Sequence, residues 1–222
     1  MIHSTYYHKD THEDPKTSTV FESLLMLPDE LFWKILRRAC FDNDNLPLVA
    51  GKIESFDFWP HWNPRKTTNS NLVEPDLFIR FQLFDVIIEA KYSDGGGQYF
   101  QQWRNEIQAY NNEYSYDNKE VYFIAVGGNA DKQTESVKLA KNVAVNKCTW
   151  LSLLIQVAKY KEELCRMSFR TDESSSLLRI LDLTELGFNI HGVYNIHWFN
   201  ELERASTYIS TESISTLKTF FR

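Results

Sequence analysis

The chain has 222 residues, of which 43% are hydrophobic and 14% aromatic, a composition that supports a sizeable core and excludes disorder for the main body. No uncharged apolar run reaches about 18 residues, and the polar N-terminus lacks the apolar stretch of a secretory signal, so we expect no membrane span. The formal net charge of −6 is unfavourable for a nucleic-acid partner, because basic surfaces normally supply the affinity for phosphates.

The N-terminal third is predicted to be mainly helical. Residues 1–18 are polar and are expected to form a flexible arm. A helix is predicted to start near Thr19, because Thr19 and Glu22 have the spacing of a capping box. Pro28, followed by two acidic residues, predicts a second helix start. A strand is then expected within residues 48–59.

The middle of the chain alternates strands and helices. Two apolar runs, near 75–81 and 84–91, predict an antiparallel strand pair. A helix is predicted over 98–112, and a buried strand over 121–126. Since a strand, a crossover helix and a second strand form a right-handed unit, the strand at 121–126 is expected to lie parallel to the one at 84–91. Residues 131–142 are polar and are predicted to be helical.

The C-terminal part, residues 151–222, is predicted to be mainly helical and to pack on the core. Helices are expected over 150–166, 177–186 and 199–221. Ser176 or a neighbour is expected to cap the second of these helices, and Gly187 to end it. The chain is therefore predicted to be an α/β protein, with a mixed central sheet flanked by helices and a helical C-terminal extension.

The strand pair carries the most informative residues of the chain. Pro75-Asp76 precedes the first strand, and Glu89-Ala90-Lys91 ends the second. Successive side chains of a strand point to opposite faces, so Glu89 and Lys91 share a face and Ala90 points to the core. Asp76 can lie opposite Glu89, where two carboxylates repel each other unless a cation lies between them. Mg²⁺ suits such a site because it prefers oxygen ligands and keeps some of its waters.

These residues, in this order of elements, resemble the PD-(D/E)XK (restriction-endonuclease-like) nuclease superfamily over about residues 19–150. The resemblance implies a restriction-endonuclease-like core and a metal-dependent endonuclease that hydrolyses DNA phosphodiester bonds. It implies that Asp76, Glu89 and the Ala90 carbonyl bind Mg²⁺, for which Mn²⁺ can substitute. Lys91 would orient or help deprotonate the attacking water. Bacterial restriction or phage defence is the context that the resemblance suggests, with DNA as the partner and a second subunit or a homodimer supplying further contacts.

Several other residues are weaker candidates for the same site. Many members of the superfamily add an acid from the first helix, and Glu22 is the candidate here, although a capping box explains Glu22 equally well. Asp85 shares the face of Glu89, and we expect it to be a solvated residue at the start of its strand.

The helix after Lys91 carries four polar residues at steps of four, Gln98, Gln102, Glu106 and Tyr110. Some branches of the superfamily have a Gln-x-x-x-Tyr motif here with the glutamine near the metal, but this chain has Glu106 in place of that glutamine. Gln98 or Gln102 can still approach the site. An ordinary polar helix face is the alternative.

The loop after the first predicted strand is aromatic and basic. Trp59, His61 and Trp62 can stack on unpaired bases, and Arg65 and Lys66 can contact phosphates. Packing of the aromatic side chains within the loop is the alternative.

The cysteines favour an intracellular location. Cys40, Cys148 and Cys165 are scattered and form no CxxC pair, which argues against structural zinc and against a disulfide framework. A reducing cytoplasm is therefore the expected compartment.

Two alternatives to a nuclease remain open. One is a catalytically inactive protein of the same fold that serves as a binding or scaffold subunit, which the acidic net charge favours and the intact acid–acid–lysine set disfavours. The other is a different α/β protein in which Glu89 and Lys91 form only a surface pair. In that case Asp76 would lie far from Glu89.

Overall fold

The structure, a computed structural model, describes His3, residues 13–167 and residues 171–195. The α-helices within these residues are α1 (Glu13–Leu24), α2 (Asp29–Ala39), α3 (Phe100–Tyr114), α4 (Trp150–Cys165) and α5 (Asp172–Ile190). The strands are β1 (Ile53–Phe58), β2 (Leu77–Phe81), β3 (Phe84–Ala90), β4 (Glu120–Val126), β5 (Glu135–Lys138) and β6 (Asn142–Cys148). The predicted α/β class, with a mixed sheet flanked by helices, is confirmed.

The described strands form one six-stranded sheet in the order β1-β2-β3-β4-β6-β5. The first three strands are antiparallel, and β4 lies parallel to β3 after the crossover through α3. Strand β6 is parallel to β4, and β5 is antiparallel to β6. The predicted antiparallel pair and the predicted parallel strand are both confirmed, because apolar β-branched and aromatic runs mark strands even when they are buried on both faces.

Strand β3 separates two apolar clusters. Val86, Ile88 and Ala90 face a cluster that also contains residues of α1, α2, α4 and α5. Ile87 lies on the other face, against α3. Because side chains alternate along a strand, Asp85 and Glu89 point to the α3 side with Ile87. The face that meets α3 therefore contains two buried carboxyl groups, and these must be compensated by their neighbours.

The first described helix begins earlier than its sequence pattern indicates. Helix α1 starts at Glu13, so residues 13–18 do not belong to the arm predicted over 1–18. Pro15 lies in the first turn, where its missing N–H costs nothing because the N–H groups there have no partner within the helix. Thr19 lies inside the helix and donates its hydroxyl to the Pro15 carbonyl, at 2.6 Å. The capping box predicted at Thr19 and Glu22 is therefore wrong.

The helix predicted at 131–142 is also wrong, because this region forms the β5–β6 hairpin. Val137, Val143 and Val145 are buried in the cluster beneath α3. Their alternation with exposed or half-buried residues is the period-two pattern of an edge hairpin. The polar residues between them, which favoured a helix in the sequence, lie on the outer face.

The last described helix differs at both ends from its prediction. Helix α5 is capped by Thr171, whose hydroxyl accepts the Ser174 N–H, rather than by Ser176. It also continues past Gly187, which is buried against α1. A Cβ at Gly187 would lie 3.0 Å from Thr19 Cγ2, so this glycine permits close helix packing instead of ending the helix. The helix predicted at 199–221 lies outside the described residues.

The length and apolarity of the helices also bear on the membrane prediction. Within the described part of the chain, none of the helices is both long enough and apolar enough for a bilayer crossing.

Candidate active site

Asp76 is held at the entrance of β2, on the side of the sheet that α3 covers. Leu77 pairs with Ile88, and this register places Asp76 across from Glu89. Asp76 Oδ2 accepts the N–H of Ala90 at 2.7 Å, and its Oδ1 accepts the indole N–H of Trp59 at 3.1 Å. These bonds fix the carboxyl group next to the end of β3. The alternative in which Asp76 lies far from Glu89 is therefore wrong.

Glu89 and Lys91 form the ion pair that their spacing predicts. Lys91 Nζ lies 2.5 Å from Glu89 Oε1. Lys91 also reaches α1, since its Nζ lies 3.4 Å from Glu13 Oε1. The second oxygen of Glu13 accepts the backbone N–H of Tyr92 at 3.1 Å. The N-terminus of α1 is thus tied to the end of β3 at the point where Lys91 leaves the sheet.

The polar face of α3 lies on β3 rather than in solvent. The Gln98 side chain donates to the Glu89 carbonyl at 3.0 Å, and Gln102 donates to Glu89 Oε1 at 2.5 Å. Gln98 is itself held by the indole N–H of Trp103, at 2.6 Å. Both glutamines predicted to support the site therefore contact Glu89. The alternative prediction, that these residues form an ordinary polar helix face, is therefore wrong.

Glu106 approaches Glu89 from the same face of α3. Its side chain is 2% exposed, and burial together with the charges of Glu89 and Asp76 raises its pKa well above the ordinary value. The protonated Glu106 carboxyl can then donate a hydrogen bond to Glu89. Oε2 of Glu89 and Oε2 of Glu106 are both buried, and neither receives a donor from the other described residues. Glu106 thereby supplies the donor that a glutamine would supply at this position.

The cluster contains more acid than base. Burial, reinforced by the charge of Glu89, raises the pKa of Asp76 well above its ordinary value. Burial also raises the pKa of Glu89. Burial opposes the Lys91 cation, but attraction by Glu89 outweighs it and raises the pKa of Lys91. The site therefore combines an ammonium group that stays protonated with buried carboxyl groups whose ionised form is disfavoured by burial.

Three carboxylates have the spacing of a cation site. Glu13, Asp14 and Asp76 each offer an oxygen, and these oxygens lie within 4.8 Å of one another. Hard oxygen donors with excess negative charge suit Mg²⁺ or Mn²⁺. The residues present therefore fit a divalent ion. Glu13 and Asp14 were missed in the sequence, although two acids followed by a proline are typical of a helix start.

Glu22 is not among these carboxylates. Its Oε1 accepts the backbone N–H of His3 at 2.7 Å, lies 3.0 Å from His3 Nδ1 and accepts the Ser18 hydroxyl. Glu22 is more than two helical turns beyond Glu13 on α1. The structure thus brings Glu13, rather than Glu22, to Lys91.

Arg65 and Lys66 also lie away from the cluster. Both are exposed in the loop between β1 and β2. The Arg65 carbonyl accepts the side-chain N–H of Asn112 at 2.7 Å. Asn112 is near the C-terminal end of α3, whereas Gln102 is in its first turn and Gln98 just precedes it. The predicted support of the site by this basic pair is not seen.

The tryptophans of the same loop are packed inside the molecule. Trp59 is 4% exposed and is bonded to Asp76, and Trp62 is 3% exposed with its ring 5.0 Å from that of Phe78. His61 is exposed and lies 2.8 Å from Glu74. The prediction that the two tryptophans stack on bases is therefore wrong, and the alternative, that they pack within the protein, is confirmed.

Comparisons with known proteins add little to this geometry. No protein-family model matches the chain. The chain is 26% identical over 201 residues to the protein named "Uncharacterized protein PM0110" of Pasteurella multocida (strain Pm70), covering 86% of this chain and 75% of that protein. No solved structure matches.

Proposed function

We propose that the protein is a metal-dependent endonuclease that hydrolyses DNA phosphodiester bonds, in the manner of the PD-(D/E)XK superfamily. The observation that carries this proposal is the position of buried Asp76 across from Glu89, with the Lys91 ammonium on Glu89. Two carboxylates and a lysine at the ends of adjacent strands are the groups that a metal-activated water needs.

The topology supports the same proposal. Two helices (α1 and α2), three antiparallel strands, a crossover helix and a parallel strand follow one another, an order that resembles a restriction-endonuclease-like core. The N-terminal helix of that arrangement contributes an acid in many members. In this chain Glu13 and Asp14 take that place, because α1 begins beside Asp76.

In the proposed mechanism Asp76 would hold Mg²⁺ together with Glu13 or Asp14, and Glu89 and the Ala90 carbonyl would complete the ligand set. When bound, such an ion lowers the pKa of a water and neutralises charge on the phosphate. Lys91 remains protonated because its pKa is raised, so it acts as a cation that orients the phosphate and the water rather than as a base. Gln102 and Glu106 hold the Glu89 side chain in place.

The direct test is a cleavage assay with plasmid and oligonucleotide DNA in Mg²⁺, Mn²⁺ and EDTA. We expect cleavage with either metal, none in EDTA, and loss of cleavage in Asp76→Ala and Lys91→Ala. Glu120→Gln is a matched control, because Glu120 is exposed at the far end of β4. Unchanged cleavage by both site variants would refute the assignment.

A non-catalytic binding or scaffold subunit is the second candidate, and the net charge of −6 favours it. Calorimetry with Mn²⁺ separates the two, because a scaffold has no need to hold the ion. Metal binding without cleavage would instead indicate that a partner subunit or a second copy completes the DNA site.

A further inference from the structure

A cavity of about 450 Å³ lies beside the candidate active site. It is bounded by the residues that follow β3, by the N-terminal half of α1 and by the end of α5. Lys16, Tyr92, His191 and Tyr194 contribute to its wall. Its volume is within the range of small-molecule sites, which is about 300–1,000 Å³.

Tyr92 connects this cavity to the proposed catalytic residues. Its backbone N–H donates to Glu13 Oε2 at 3.1 Å, and its carbonyl accepts the Lys16 ammonium at 2.7 Å. Glu13 and Lys16 lie one turn apart on α1 and therefore share a face. Through Tyr92, which follows Lys91 in the chain, the cavity lies next to the Lys91 site.

Lys16 brings a positive charge to the cavity wall. Its side chain is 3% exposed, and its Nζ lies 4.6 Å from the centre of the Trp150 ring and 5.1 Å from that of Tyr92. Among the described residues no carboxylate is within ion-pair distance of this ammonium, and the negative charge of Asp94, which also lines the cavity, acts on it from farther away. A buried ammonium held by rings and a carbonyl is complementary to an anion.

The rim of the cavity is aromatic. Tyr92 is 45% exposed and Tyr194 is 57% exposed. Exposed aromatic side chains beside a cation are the usual surface for single-stranded nucleic acid, because bases stack on rings while cations meet the phosphates. Paired bases cannot stack in this way, since they already stack on one another.

We propose that the cavity binds an unpaired nucleotide next to the scissile phosphate, with a phosphate at Lys16 and the base against Tyr92 and Tyr194. The preferred substrate is then single-stranded DNA. This inference rests on the proposed function for its catalytic meaning, but binding at the cavity can be measured without cleavage.

The test measures fluorescence anisotropy with a labelled oligothymidine of about 12 nucleotides and a duplex of equal length, a size within the usual range for single-strand sites. Ca²⁺ replaces Mg²⁺ so that binding is measured apart from cleavage. We expect the single strand to bind more tightly than the duplex. Tyr194→Ala should raise the single-strand Kd about tenfold, because one stacked base is lost.

Two control variants match the substitutions. Tyr116→Ala removes an aromatic side chain that is 79% exposed and outside the cavity. Lys34→Gln is the control for Lys16→Gln. Lys34 also lies over an aromatic ring, with its Nζ 5.4 Å from the centre of the Tyr160 ring. We expect both controls to bind like the wild-type protein. Circular dichroism checks the fold of Lys16→Gln, and the exposed Tyr194 keeps the test valid if that variant unfolds.

The cavity proposal and the proposed function fail separately. Duplex binding as tight as single-strand binding, or no binding of either probe, overturns the cavity proposal, and so does a Tyr194→Ala variant that behaves like Tyr116→Ala. If the cavity proposal fails in one of these ways but cleavage still depends on Lys91, the proposed nuclease function is supported. Tyr194-dependent binding of single strands, with neither metal binding nor metal-dependent cleavage, supports the cavity and overturns the nuclease.

Discussion

Asp85 and Glu89 lie on the same face of β3, four residues apart, and both are buried. Their surroundings differ. Asp85 lies 3.3 Å from Arg80 Nε and accepts the Tyr110 hydroxyl at 3.0 Å, with Lys119 Nζ at 3.7 Å. Among the residues that the structure describes, Glu89 meets a single ammonium, that of Lys91, and otherwise faces acids and amides.

The comparison shows that burial alone does not distinguish a structural acid from a candidate catalytic one. Burial raises the pKa of both residues. At Asp85 the chain supplies nearby cations, so the negative charge of this residue is balanced without an added ion. At Glu89 the nearby groups include Asp76, Glu106 and Glu13, and a divalent cation is the simplest complement to such an excess of acid.

The largest expected effect is on the cleavage rate, which should depend on Glu89 and not on Asp85. Glu89→Gln should lower the rate of metal-dependent DNA cleavage about 10³-fold, because it removes a carboxylate that would hold the ion. Asp85→Asn should retain cleavage per folded molecule. Single-turnover cleavage rates at saturating Mg²⁺ measure the effect of each substitution. Equal losses in the two variants would contradict the different roles assigned to Glu89 and Asp85.

Stability should show the opposite ranking. Asp85→Asn is expected to lower the free energy of unfolding by about 2 kcal/mol, because buried hydrogen bonds to Arg80 and Tyr110 are weakened. Urea denaturation measures the loss, with Glu120→Gln as the exposed control. A stability equal to that of the control would show that Asp85 is not the structural member of the pair.

Metal should stabilise the Glu89 region in particular. At about 100 times its Kd, Mn²⁺ should raise the free energy of unfolding by about 2.7 kcal/mol, since it binds only the folded state. We expect Asp76→Asn to abolish this gain in thermal melts and Asp85→Asn to keep it. A gain of equal size in all three proteins would place the ion elsewhere.

The smallest effect concerns Glu106. Glu106→Gln should retain cleavage within about tenfold of wild type, because a glutamine amide donates to Glu89 as the protonated carboxyl does. Glu106→Leu should lose considerably more, as the donor is removed while the site stays buried. If the two variants lose activity equally, Glu106 has a role that its proton donation does not explain.

Much of this arrangement follows from local patterns. The runs at 77–81 and 84–90 are apolar enough to predict two strands, and alternation places Glu89 and Lys91 together. The steps of four from Gln98 to Tyr110 predict a single helix face. Sequence reasoning failed at Glu13 and Asp14, because the polar composition of residues 1–18 predicts a flexible arm and not the start of a helix. It failed again at the β5–β6 hairpin, where alternating valines were hidden among polar residues.

The amino-acid sequence by itself determined the strand pair, the shared face of Glu89 and Lys91 and the polar stripe of α3, because periodicity depends only on neighbours along the chain. Only the tertiary structure decided that Glu13 meets Lys91, that Glu106 is buried beside Glu89, and that Asp85 pairs with Arg80 and accepts a hydrogen bond from Tyr110. Charge balance in a buried site is a sum over groups from distant segments. That sum exists only once the helices have packed on the sheet.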